Sequence, residues 1–175
     1  MQHYVFVAAT SGLRVGEQLQ LRWSDVEIEA HRDKQAKPLP LARIHVRAET
    51  SKVRRSRSFL CRSAEYFDTW RRLVGYGSSV ALVFSVDGIK PITKRALLYH
   101  FKRMVESAGI KDLATRDIVP YSLRHYMITQ RIMSGVDFRA ISDMCGTNIS
   151  QIERTCYHLN DNIHLTNAVA DCSGF

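Results

Sequence analysis

Cysteine is scarce in this chain and never arranged for metal or redox work. The four residues Cys61, Cys145, Cys156 and Cys172 show no C-x-x-C pair, and none clusters with histidine at zinc-site spacing. They read as reduced, mostly buried thiols of a cytosolic protein. Long apolar runs are also missing: none approaches the roughly 18 residues that a membrane span needs. Met1 to Thr10 is apolar but lacks a basic start, so it reads as the front of a core helix and not as a secretion signal. No internal repeat, low-complexity tract or linker interrupts the 175 residues, a length that suits one domain with a real core.

Negative charge is in the minority, with 17 acidic residues against 25 Lys and Arg. The net charge is +8, and the sequence pI of about 9.6 suggests a polyanionic partner. Hydrophobic residues make up 45% and charged residues 24%, the balance of a globular chain and not of a disordered one. The excess is concentrated. From His31 to Arg62 there are ten basic residues (Arg32, Lys34, Lys37, Arg43, Arg47, Lys52, Arg54, Arg55, Arg57 and Arg62) and two acids, Asp33 and Glu49. That excess of eight equals the net charge of the whole chain. It describes either a solvated strand edge or a phosphate-contacting hairpin.

The pattern predicts a mainly α protein with a small three-stranded antiparallel sheet. A helix ends at Ser11-Gly12, and a short second one runs to about Arg22-Trp23. A strand covers Val26 to Glu29, and residues 30–41, with Pro38 and Pro40, read as a loop. Ala42 to Ala48 alternates Ile44 and Val46 with Arg43, His45 and Arg47, a half-buried strand. Glu49 to Lys52 forms a turn and Arg54 to Leu60 a returning strand. Helices follow: one capped by Ser63 with Tyr66, Phe67, Trp70, Leu73 and Val74 inward, and one capped by Thr93 and closed by Gly109, with Lys94, Arg95, His100 and Arg103 on its outer face. Val80 to Val86 is a short apolar run. Further helices span about 122–134, 138–145, 149–159 and 162–170.

Three segments carry chemistry. The first is T-S-G-L-R-V-G-E, holding Arg14 and Glu17, which leads into L-R-W-S-D at Asp25. The second is Thr50-Ser51-Lys52 on the hairpin. The third holds Tyr121, Arg124 and His125 in Y-S-L-R-H, then Gly146-Thr147, then Tyr157. In this order they resemble the signature boxes of tyrosine recombinases, the phage integrases, and the resemblance runs from residue 10 to residue 159. It implies the DNA breaking–rejoining fold of the family's catalytic domain. It also implies cleavage and rejoining of double-stranded DNA through a 3′-phosphotyrosyl intermediate, with no metal or other cofactor.

The resemblance assigns roles residue by residue. Tyr157 is the nucleophile, a hydroxyl that conserves the phosphodiester energy in a covalent bond. Arg14 and Arg124 present donor forks to the non-bridging oxygens of the transition state. Lys52 is the general acid toward the leaving oxygen. Glu17 braces an active-site arginine, and His125 either packs beside the site or contacts phosphate. Arg43, Arg47, Arg54, Arg55, Arg57, Lys94 and Arg95 are expected to contact DNA. Two positions depart from the family. Tyr121 replaces the usual first histidine and is a poorer base, because a tyrosine pKa lies near about 10. Thr147 replaces a histidine or tryptophan but keeps a hydroxyl donor.

The resemblance further implies a monomer in solution that forms a tetramer on paired sites, exchanging Asn160 to Phe175 with a neighbour. It implies a bacterial or phage-encoded protein of the cytoplasm, with no membrane partner. It implies, too, that the family's N-terminal clamp domain is absent and the first catalytic helix shortened. Two other readings keep the fold but change the activity. One is a DNA-binding module without turnover, and the other is supercoil relaxation like that of type IB topoisomerases.

Overall fold

The computed structural model describes residues 1–156, with side chains through Arg154. Tyr157, His158 and the segment 160–175 therefore lie outside the described residues. Two compact units divide the chain, Met1–Met127 and a second beginning at Ile128.

The first unit is built on a sheet of order β1-β2-β3, comprising β1 (Val26–Arg32), β2 (Pro38–Val46) and β3 (Arg57–Cys61). Both pairings are antiparallel, with Ile44 opposite Val26 on one side and Phe59 on the other. Alternation on β2 follows the sequence pattern. Ala42, Ile44 and Val46 are buried, while His45 is exposed between them. The expected loop at residues 30–41 is instead a hairpin, because β1 continues to Arg32 and β2 begins at Pro38. The prolines are tolerated because β3 pairs only with Ala42–Val46, so Pro38 and Pro40 lie where β2 has a single neighbour.

Helices α1 (Gln2–Ser11) and α3 (Ala64–Val74) pack with this sheet. Their contacts place Tyr4, Val7, Ala8 and Phe67 in a core with Trp23, Phe59, Val83 and Phe84. Each large side chain buried in this way stabilises the fold by about 1.5–3 kcal/mol. Ser63 precedes α3 but makes no capping bond. Its hydroxyl is engaged instead by Thr10 Oγ1 and the Cys61 thiol, which ties α1 to β3 and α3. Leu73, expected inward, is exposed. The apolar run at Val80 to Val86 forms no strand. Two isolated bridges, Arg22 with Leu82 and Ser85 with Pro91, hold it, so Val83 and Phe84 are buried while Val80 and Val86 face solvent.

Thr93 caps α4 (Lys94–Ser107) by accepting a bond from the Ala96 N–H at 3.2 Å, and Leu97, Phe101 and Val105 form its buried stripe. Helix α5 (Ser122–Met133) starts from a turn in which the Val119 and Ser122 groups exchange bonds. In the second unit, α6 (Phe138–Cys145) is capped by Asp137, whose carboxylate accepts from the Arg139 and Ala140 N–H groups. It stops at Gly146, φ 60°, and α7 (Ile149–Cys156) follows. Ile141, Cys145 and Ile152 are buried. No helix among the described residues is long and apolar enough to cross a membrane.

Candidate active site

The turn at residues 12–14 organises the site. Gly12 ends α1 in the left-handed region (φ 65°), returning its N–H to the Ala8 carbonyl at 3.0 Å. Arg14 then sits in extended geometry immediately before α2 (Val15–Leu19). Glu17, the third residue of that helix, reaches back to accept the Arg14 backbone N–H at 3.0 Å, which is the logic of a capping box. The same carboxylate accepts from Arg14 Nη1 at 3.0 Å. Glu17 therefore fixes both the backbone and the guanidinium of Arg14.

Arg124 joins the third sequence segment to the first. It is 3% exposed, and its Nη1 donates to the Gly12 carbonyl at 2.6 Å, across 112 residues of chain. That carbonyl lies just before Arg14 in the same turn. The two arginines thus belong to one neighbourhood, one fastening the turn that presents the other. Tyr121 stands one residue ahead of α5 and is 44% exposed. His125 lies one turn further on, its ring edge-on to Tyr121 with centroids 4.8 Å apart. Burial, followed by repulsion from the Arg124 charge, holds the His125 pKa below its usual value.

Lys52 occupies the turn between β2 and β3 and is exposed, next to a buried Ser51. Arg54, at the end of the same turn, adopts φ 54°. Thr147 belongs to the second unit. It follows the Gly146 cap, where its N–H closes a bond to the Ser142 carbonyl at 3.0 Å, and it is half-buried. The expected nucleophile, Tyr157, is outside the described residues.

The basic hairpin divides into two groups. Arg54 and Arg55 are exposed, as are Lys94 and Arg95 on α4, and among the described residues no ion pair engages any of them. Three other arginines each have an acidic partner from the first 29 residues. Arg43 pairs with Glu29 through two nitrogens and remains 42% exposed. Arg47, 18% exposed, donates to Asp25 at 3.1 Å, Glu49 at 2.8 Å and the Gln20 carbonyl at 2.7 Å. Arg57 is 11% exposed and is committed to Glu17, with Nη1 to Oε1 at 3.1 Å and Nη2 to Oε2 at 2.7 Å. Arg47 and Arg57, both expected as DNA contacts, direct donors at acceptors of the same chain: Asp25, Glu49 and the Gln20 carbonyl for Arg47, and Glu17 for Arg57. Burial pushes the Glu17 carboxyl up, but the bonds and charges of Arg57 and Arg14 outweigh it and hold the group below its usual value. Spacing from Lys52 offers no sign that Arg57 turns inward. Asp25 is visible in sequence only as the end of the first motif.

Residues 2–162 match the model of the phage integrase family. The chain belongs to that family. The phage integrase fold is also evident in solved structures. XerH recombinase bound to palindromic difH substrate aligns with a TM-score of 0.68 at 16% identity, covering 96% of this chain and 45% of that one. XerA recombinase aligns at 0.64 with 20% identity, covering 97% and 57%. The Tn1549 transposon integrase in complex with circular intermediate DNA aligns at 0.61 with 15% identity, covering 87% and 52%. In sequence, the tyrosine recombinase XerC of Roseiflexus castenholzii is 27% identical over 158 residues, 86% of this chain and 44% of that protein. The chain spans about half the length of these phage integrase relatives.

Proposed function

We propose that this chain is the catalytic domain of a site-specific DNA recombinase that breaks and rejoins DNA through Tyr157. The observation that carries the reading is the joining of two distant motifs: Arg124 is buried and bonded to the Gly12 carbonyl, beside Arg14. In the proposed reaction, the Tyr157 hydroxyl gives up its proton to solvent as its oxygen attacks the scissile phosphorus, forming a 3′-phosphotyrosyl ester and breaking the bond to the 5′-oxygen. The 5′-oxygen leaves with a proton supplied by Lys52. Attack by the 5′-hydroxyl of another strand reverses the step and frees the tyrosine. Arg14 and Arg124 stabilise the charge that gathers on the non-bridging oxygens. Arg54, Arg55, Lys94 and Arg95 contact phosphates, and Arg43 adds a partly exposed cation to them. Tyr121 and Thr147 stand in for the family's usual donors. XerH and the Tn1549 integrase, solved on DNA, support a duplex as the substrate. A bacterial cytoplasm as the place of action, and a tetramer on paired sites, belong to the same reading.

Covalent trapping tests it. The protein is incubated with nicked duplex DNA in EDTA, denatured in SDS and examined for a DNA-shifted band. An adduct lost in Tyr157→Phe is expected. An adduct that persists in that variant removes Tyr157 from the role. Tyr121, exposed and edge-on to His125, favours a second reading, a DNA-binding module without turnover. DNA binding without any adduct is its signature. Relaxation of supercoils without intermolecular recombination would point to a topoisomerase activity.

A further inference from the structure

Glu17 is 3% exposed and receives four N–H donors, two from Arg14 and two from Arg57. The two arginines use it differently. Arg57 meets it as a fork, with one nitrogen on each oxygen, which is the most directional arrangement open to this pair. Arg14 gives it one backbone and one terminal nitrogen. Arg57 is itself held firmly. Its backbone is in β3 opposite Val46, and its guanidinium lies over the Phe59 ring, 5.9 Å from the centroid. The sheet therefore sets the orientation of the carboxylate, and the carboxylate sets that of Arg14.

We propose that Arg57 is a positioning residue for DNA cleavage, acting through Glu17 to aim Arg14 at the scissile phosphate. The proposal rests on the reading of Arg14 given above. Arg57 makes no phosphate contact in this scheme, although it sits in the most basic stretch of the chain.

Single-turnover cleavage of a nicked duplex at saturating protein separates the possibilities, together with DNA affinity measured across salt concentrations. Arg57→Met should lower the cleavage rate constant by about 100-fold, the cost of misplacing a catalytic group by an ångström, with affinity and salt slope unchanged. Arg57→Lys, which restores charge but not the fork, should recover part of the rate. In an Arg14→Ala background, Arg57→Met should have no further effect on rate. A salt slope reduced by about one in Arg57→Met would mean direct phosphate contact and overturn the proposal. So would rate losses that simply multiply with those of Arg14→Ala. Should Arg57→Met fail to fold, Arg57→Lys and Arg57→Gln carry the same comparison. If Arg14→Ala itself cleaves at the wild-type rate, the catalytic reading of Arg14 fails. If Arg14→Ala is slow and folded Arg57→Met is not, the bracing role alone fails.

Discussion

At the scale of single residues, the site depends on buried groups whose partners are far away in sequence. Replacing Arg124 with alanine removes the donor to the buried Gly12 carbonyl. The expected loss is about 1–3 kcal/mol of stability, read by urea denaturation, in addition to the loss of the covalent adduct. His125 supplies a pH effect of definite sign. Its folded pKa lies below the unfolded value, so the unfolded chain binds the proton more readily. Stability is fully present above about pH 6.5, the ordinary histidine value, and falls as the pH drops through the folded pKa. Melting temperatures measured from about pH 8 to 5 should show the decline, and His125→Gln should flatten it. Sequence makes Arg14, Glu17 and Arg124 visible as a set, because a family pattern fixes their order. The partners of Arg47 and Arg57 are not visible there. Nothing in the spacing of an exposed-looking basic strand says which arginines turn toward Asp25 or Glu17.

At the scale of elements, capping chemistry divides into positions that behave as their sequences suggest and one that does not. Thr93 accepts a bond from the first turn of α4, while Ser63 directs its hydroxyl to Thr10 and Cys61. A helix start can be read from residue type, but competition from a tertiary partner cannot. Pro38 and Pro40 illustrate the same limit. Proline argues against a strand until the register shows which side of β2 has no neighbour. In the second unit, Asp137 satisfies two N–H groups at the start of α6. Asp137→Ala should cost about 0.5–2 kcal/mol, measured by chemical denaturation. Asp137→Asn should retain most of that stability, since the amide oxygen accepts equally well.

At the scale of the whole molecule, the net charge of +8 overstates the positive surface left unpaired, since Glu17, Asp25 and Glu29 each engage a hairpin arginine. Arg54→Ala and Arg55→Ala should each reduce the slope of log affinity against log salt by about one. Arg47→Ala should weaken the fold and leave that slope in place. Equal slopes for all three would mean that the internal pairs do not hold in solution. Overall charge and the concentration of basic residues on the hairpin are legible in sequence. The division of labour among the arginines is a property of the folded sheet.

The bond from Arg124 to Gly12 also has a kinetic consequence. It closes a loop of 112 residues, and the fork from Arg57 to Glu17 closes one of 40. Contacts so distant in sequence form late, after the entropy of closing such loops has been overcome. A nascent or partly unfolded chain would carry every residue of the site and yet hold no aligned pair of arginines. The paired arginines of the proposed site would then arise together with the completed fold, and refolding monitored by both fluorescence and adduct formation should show the two signals rising together.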